Sequence, residues 1–205
     1  MHGGEMKLKT LKCAAAAGML ALAGTAGAAT VTFDSLTNPG IWQYTTDTYV
    51  EQGFAFAATV PSNGYSLYSY GLESPFNADP TGATLRQFYA GNYGFVVSSV
   101  GGGTFSLDSF DLADAFNDGE GGTVRFSYTD AAGVHSEKLA LDNQVGLQTF
   151  TFDLSGLTSF SLWNNNFQID NVNVQAQPLA VPEPATYGML LAGIAALVAV
   201  RRRKA

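Results

Sequence analysis

The chain has 205 residues, 46% of them apolar and 13% charged, a balance that suits a globular fold and excludes disorder throughout. Its formal charge of −7 is unevenly spread: residues 30–180 hold fifteen acids against the three bases Arg86, Arg125 and Lys138, about −12 in that segment. Such a body repels phosphate backbones and anionic lipid, which argues against nucleic acid as a partner.

Lys7, Lys9 and Lys12 precede the apolar run 13–23, which gives way to small residues ending at Ala29. A positive start, a short apolar stretch and a small-residue box are the parts of a secretory signal peptide. It is read by the Sec translocon and then cut by signal peptidase. Ala26 and Ala28 take the two positions that the peptidase inspects, so the cut is expected after Ala28 or Ala29 and the leader spans 1–29. Residues 1–5 add nothing to this pattern, which leaves Met6 as an alternative start. The single cysteine, Cys13, opens the apolar run and does not follow it, as a lipid anchor would require. The mature chain is therefore expected to lack cysteine, which excludes disulfide staples and thiolate zinc sites. A body of about 150 residues is large enough to rely on its own core.

Residues 30–177 alternate apolar and polar side chains with period two and show no helical stripe. Val124, Phe126 and Tyr128 alternate with Thr123, Arg125 and Ser127; Phe150, Phe152 and Leu154 alternate with Thr149, Thr151 and Asp153. Further strands are expected at 31–33, 53–57, 93–100, 104–112, 134–141, 159–163 and 167–174. Turn signals separate them, among them Gly101-Gly102-Gly103, Asn117-Asp118-Gly119 and Asn164-Asn165-Asn166. The pattern predicts one all-β domain, a single antiparallel jelly-roll-like β-sandwich.

One pattern occurs three times. In Val31-Thr32-Phe33-Asp34-Ser35-Leu36, again around Asp108 and again around Asp170, the alternation slips by one residue at the Asp. A β-bulge at Asp34, Asp108 and Asp170 would restore the phase. A second reading makes Asp34 and Asp170 ligands of a structural Ca²⁺, because carboxylates of the first and last strands converge when those strands pair, and the ion takes about six to eight oxygens. The segment 167–174 loosely resembles the closing strand of carbohydrate-binding β-sandwiches, and that resemblance also implies a structural ion. The loop 114–122 fails the EF-hand register, with Phe116 at the third position and Arg125 at the twelfth, and is read as a solvated acidic turn.

Catalytic patterns are thin, and no catalytic residue is assigned. His135 is the one histidine of the body and is expected on a hairpin strand; no G-x-S-x-G, H-E-x-x-H or Walker pattern occurs. Seven of the nine tyrosines lie between residues 44 and 93, a part read as long loops. Trp42, Tyr65, Tyr68 and Tyr70 are the candidate glycan contacts there, since amphipathic rings present a flat face and a hydroxyl together. The alternative is that these tyrosines cover a sheet edge or hairpin.

The end of the chain, 178–205, has three parts: Val181-Pro182-Glu183-Pro184, an apolar segment at 185–200, and Arg201, Arg202, Arg203 and Lys204. Sixteen helical residues at ~1.5 Å each reach about 24 Å, a marginal span for a hydrocarbon core of about 30 Å. The arginines hold the C-terminus in the cytoplasm and leave the body outside, where the leader also sends it. This ending resembles the PEP-CTERM sorting signal of Gram-negative bacteria, with Pro182-Glu183-Pro184 as its tripeptide. The resemblance implies an exosortase that cuts near the tripeptide, transient residence in the inner membrane, and a cargo at the cell surface or in an exopolysaccharide or biofilm matrix. A permanent single-pass anchor is the alternative. Adhesion or glycan contact without catalysis is the expected role of the body, with a secreted polysaccharide hydrolase as its rival.

Overall fold

The computed structural model describes residues 27–60, 66–87, 93–163 and 167–177, together with Ile194. Among the described residues, thirteen strands form two antiparallel sheets. They are β1 (Ala28–Val31), β2 (Trp42–Tyr44), β3 (Thr48–Glu51), β4 (Phe54–Ala58), β5 (Leu67–Tyr70), β6 (Leu85–Gln87), β7 (Gly94–Ser99), β8 (Phe105–Asp114), β9 (Gly122–Asp130), β10 (Gly133–Leu141), β11 (Gln148–Leu157), β12 (Ser159–Trp163) and β13 (Phe167–Ala176). The first sheet runs β11-β8-β13-β6-β5-β2, with β1 also paired to β13; the second runs β10-β9-β12-β7-β4-β3. This is the β-sandwich that the period-two alternation predicts.

Alternation places one face of each sheet in a shared core. Phe33, Phe54, Phe56, Phe95, Phe105, Phe110, Phe126, Phe160 and Phe167 are each no more than 2% exposed. Phe110 sits among four rings, with centroids 4.9 Å from Phe152, 5.6 Å from Phe126, 6.0 Å from Phe160 and 6.2 Å from Phe150. Aromatic pairs at such separations contribute about 0.5–1.5 kcal/mol each beyond the area they bury. Where β7 meets β12 the backbones come very close: a Cβ on Gly94 would lie 1.6 Å from the carbonyl oxygen of Leu162. Only glycine fits that position.

Two of the three expected bulges are present. The β8–β13 register shifts beside Asp108 and again between Asp170 and Asn173, where Asn171 takes the left-handed conformation (φ 48°). The third expectation is corrected. Phe33, two residues beyond β1, has φ 56° and leads into a 3-10 turn over Asp34–Leu36, so the phase slip at Asp34 marks a turn and not a bulge. The buried Phe33 ring, packed 5.1 Å from Phe56, holds this unfavourable backbone in place.

β4 falls on the strand expected at 53–57, but the reading of the rest of 44–93 as long loops is corrected, since β3, β5, β6 and part of β2 also lie there. These strands are short, and β5 is buried on both faces, so neither length nor alternation marks it. β1 begins at Ala28, paired with Gln175. A cut after Ala28 would remove that pair and keep Ala29, Thr30 and Val31 against Val174, Asn173 and Val172.

Candidate functional site

The register of β2, β5 and β6 builds the most aromatic part of the surface. Tyr44 lies opposite Tyr68, which lies opposite Arg86; Trp42 lies opposite Tyr70. Period two therefore sets Trp42, Tyr44, Tyr68, Tyr70 and Arg86 on the outer face, while Leu67 and Leu85 on the same strands enter the core. Phe76, from the loop after β5, and Phe116, from the turn after β8, lie across this face with ring centroids 5.5 Å apart. Trp42, Tyr68, Tyr70, Phe76 and Phe116 line an open groove of about 260 Å³. Trp42, Phe76 and Phe116 form its exposed rim, at 50%, 40% and 49% exposure.

Tyr68 and Tyr70 form the floor, 8% and 3% exposed. The Tyr70 hydroxyl donates to the Ala115 carbonyl (2.8 Å) and accepts from Arg86 Nη1 (2.6 Å), which also donates to the Ala115 carbonyl (3.0 Å). The guanidinium carbon lies 4.9 Å from the Phe116 ring centre, 5.7 Å from that of Tyr68 and 5.9 Å from that of Tyr70. Arg86 is 7% exposed, and among the described residues no carboxylate pairs with it. Three π-faces and two oxygens compensate its charge instead. Burial pushes the Tyr68 hydroxyl well above its ordinary pKa, with Arg86 pulling the other way.

Of the glycan-contact residues expected from sequence, Trp42 is on the rim, Tyr68 and Tyr70 are beneath it, and Tyr65 lies outside the described residues. Phe76, Phe116, Tyr44 and Arg86 were not anticipated. An aromatic within a polar turn, such as Phe116 beside Asn117-Asp118-Gly119, was the available signal. A second hollow, of about 310 Å³, opens on the outer face of the other sheet between Arg125, Ser127, Val134, Ser136, Ser161 and Trp163. Trp163 is its one aromatic lining residue.

The acidic turn is more ordered than a solvated loop. Asp114 is 6% exposed and its carboxylate accepts the N–H groups of Phe116, Asp118 and Gly119, while Asp118 and Glu120 face solvent. This capped turn is what presents Phe116 to the groove. His135 lies on β10 as expected, 3.1 Å from Asp130 Oδ1 and stacked on Tyr128 at 4.7 Å.

Of the two aspartates read as metal ligands, Asp34 follows β1 and Asp170 lies near the start of β13; the strands are antiparallel, with Val31 opposite Val172, so both stand at the same end of the pair. Asp170 is 1% exposed and accepts a hydrogen bond from Asn171 N–H on Oδ1 (2.7 Å). Burial pushes its carboxyl up to about 8, and Asp79, Asp34 and Asp111 add like-charge repulsion. Among the described residues no group of three or more His, Cys, Asp and Glu side chains forms a metal-type cluster.

Also among the described residues, no helix is long and apolar enough to cross a membrane. Apart from Ile194, the 185–200 segment lies outside them, as do Ala26, Val181, Pro182, Glu183, Pro184, Arg201, Arg202 and Arg203.

The body is thus an antiparallel two-sheet β-sandwich with an aromatic groove on one outer face. The chain carries a PEP-CTERM protein-sorting motif, matched over residues 180–204. No curated protein matches the chain in sequence. Among solved structures it is similar to a family 29 carbohydrate-binding module (11% identity, 78% of this chain and 97% of that one, TM-score 0.38). It is also similar to CBM6cm-2 from Cellvibrio mixtus lichenase 5A in complex with cellotriose (14% identity, 73% and 97%, TM-score 0.31), and to the BiXyn10A CBM1 module (10%, 73% and 97%, TM-score 0.32).

Proposed function

We propose that this protein is exported, processed by an exosortase near Pro182-Glu183-Pro184, and displayed at the cell surface or in the extracellular matrix, where its sandwich contacts glycan through the aromatic groove. The sorting motif supports the destination. The observation that carries the glycan reading is the rim itself: three large rings, Trp42, Phe76 and Phe116, stand 40–50% exposed around one hollow in a strongly acidic body. Exposed flat rings converging on one groove supply stacking surface for the C–H faces of sugars, and the net negative charge keeps polyanions away. The residues lining the groove offer contact and carry no carboxylate to act as an acid or base. A matrix or adhesion role therefore fits this site better than hydrolysis.

Affinity electrophoresis of the secreted protein through gels containing neutral exopolysaccharides tests the groove. Retardation of the wild type is expected, with its loss in W42A/F116A and its persistence in W163A, all three keeping the same far-UV circular dichroism. Retardation unchanged in W42A/F116A would remove the groove from the reading, and no retardation of the wild type in any glycan would remove glycan contact. Intact-mass measurement of the same protein reads the processing, and a secreted form still ending in Arg201, Arg202, Arg203 and Lys204 would refute the exosortase step.

A further inference from the structure

We infer that the hollow on the outer face of the second sheet binds a terminal sugar acid, with its carboxylate on Arg125 and Lys138 and its ring on Trp163. The site is separate from the aromatic groove and does not rest on the reading of that groove.

Strand register assembles it. Arg125 on β9 lies opposite Lys138 on β10 and, on its other side, opposite Trp163 on β12. Val124 and Phe126 of β9 and Leu139 and Leu141 of β10 enter the core, so period two turns Arg125 and Lys138 outward together. Two residues along β9, Ser127 stands between Ser136 and Ser161 in the same way. The hollow these side chains line measures about 310 Å³, and Lys138 adjoins it through Arg125. That is the lower end of the roughly 300–1,000 Å³ usual for small-molecule sites.

Two observations point to an anion. Of the three bases in residues 30–180, Arg86 is buried under the groove, which leaves Arg125 and Lys138 as the exposed ones, and the ladder sets them side by side. Like charges directly opposite each other repel and weaken a strand pair. The second observation is that, among the described residues, no carboxylate forms an ion pair with either of them, in a segment that holds fifteen acids. Glu137, next to Lys138 in the chain, lies opposite Phe126 and so on the other face of the sheet. The pair is thus left to a carboxylate from outside, which a guanidinium takes with two parallel hydrogen bonds.

The neighbours select a sugar acid over a bare anion. The Trp163 indole N–H donates to Ser161 Oγ (2.9 Å), which fixes the ring beside Arg125 as a flat surface for sugar C–H groups. Ser127 and Ser136 share a hydrogen bond (2.6 Å) and keep further capacity for sugar hydroxyls. The acidic surroundings limit the length of the ligand. Charges are screened beyond about 8 Å at physiological salt, so one carboxylate feels the basic pair, whereas a polyanion also meets the acidic body and is repelled.

The test is isothermal calorimetry of the secreted protein with sodium glucuronate and with a disaccharide ending in glucuronate, beside glucose and a tetraglutamate peptide. Heat from both uronates and none from glucose is expected. R125Q should weaken uronate binding by about tenfold or more, and raising NaCl from about 50 to 500 mM should weaken it in the wild type. R125Q should keep the retardation in neutral exopolysaccharide that reads the groove, so absence of that retardation in the wild type would sink the groove and leave this site standing. Removing either opposed charge, in R125Q or K138Q, should hold or raise the melting temperature, which separates lost binding from lost folding. No heat from either uronate, undiminished affinity in R125Q, tetraglutamate bound as tightly as the uronates, or a lowered melting temperature in both variants would each overturn the assignment.

Discussion

Tyr70→Phe removes one oxygen and leaves the ring, so its effect isolates the polar floor of the groove. In the native protein that oxygen accepts from Arg86 Nη1 at 2.6 Å and donates to the Ala115 carbonyl at 2.8 Å, in a side chain 3% exposed. A hydrogen bond to a charged group contributes about 1.5–3 kcal/mol and a neutral one about 0.5–1.5 kcal/mol. Arg86 Nη1 keeps its bond to the Ala115 carbonyl, which recovers part of the loss. The expected destabilisation is therefore about 2–3 kcal/mol. Urea unfolding followed by the fluorescence of Trp42 and Trp163 reads it as a lower midpoint at unchanged slope. Arg86→Met should destabilise as well, through the lost bonds and the three ring contacts, and the double variant should fall short of additivity by about 1–2 kcal/mol because both substitutions break the same interaction. A loss below about 0.5 kcal/mol for Tyr70→Phe, or strict additivity of the pair, would refute the account of Arg86 as a cation held in place by Tyr70.

Gly94→Ala forces a Cβ to within 1.6 Å of the Leu162 carbonyl oxygen and 2.9 Å of Trp163 Cα, both backbone atoms of the facing strand. The β7–β12 ladder must open, and a loss of about 3 kcal/mol or more is expected in the same urea assay; a near-native midpoint would contradict the close approach. Asp130 should titrate below the ordinary carboxylate range, held down first by the Ala132 N–H and also by His135. A depressed folded-state value means that its contribution is present above the unfolded pKa and is lost as pH falls through the folded one. Carboxyl-carbon NMR of wild type and H135A checks this: a midpoint below 3.8 is expected in the wild type, moving upward in the variant.

Long strands with clean alternation were legible in advance. β8, β9, β10, β11, β12 and β13 lie where the Phe and Val periodicity puts them, because burial of one face demands apolar residues at every second position. The slips at Asp108 and Asp170 announced bulges for the same reason. The slip at Asp34 gave an identical signal but marks a turn, since sequence shows a loss of phase and not whether the chain continues in the sheet. β2, β5 and β6 have three or four residues each, too few to show a period, and the tyrosines on β5 looked like exposed loop rings when they are the floor of a groove.

Composition, charge distribution and local periodicity were enough to determine an acidic all-β body followed by the sorting motif, because each is a property of neighbouring residues. Which aromatics meet was decided by strand order alone: Trp42, Phe76 and Phe116 share a groove because β2 pairs with β5 and the turn after β8 folds across them. The same holds for Asp34 and Asp79, whose carboxylates approach Gly82 from separate parts of the chain. Charges that repel one another are gathered only by a backbone whose core packing outweighs that repulsion, and no stretch of sequence carries the distance between them.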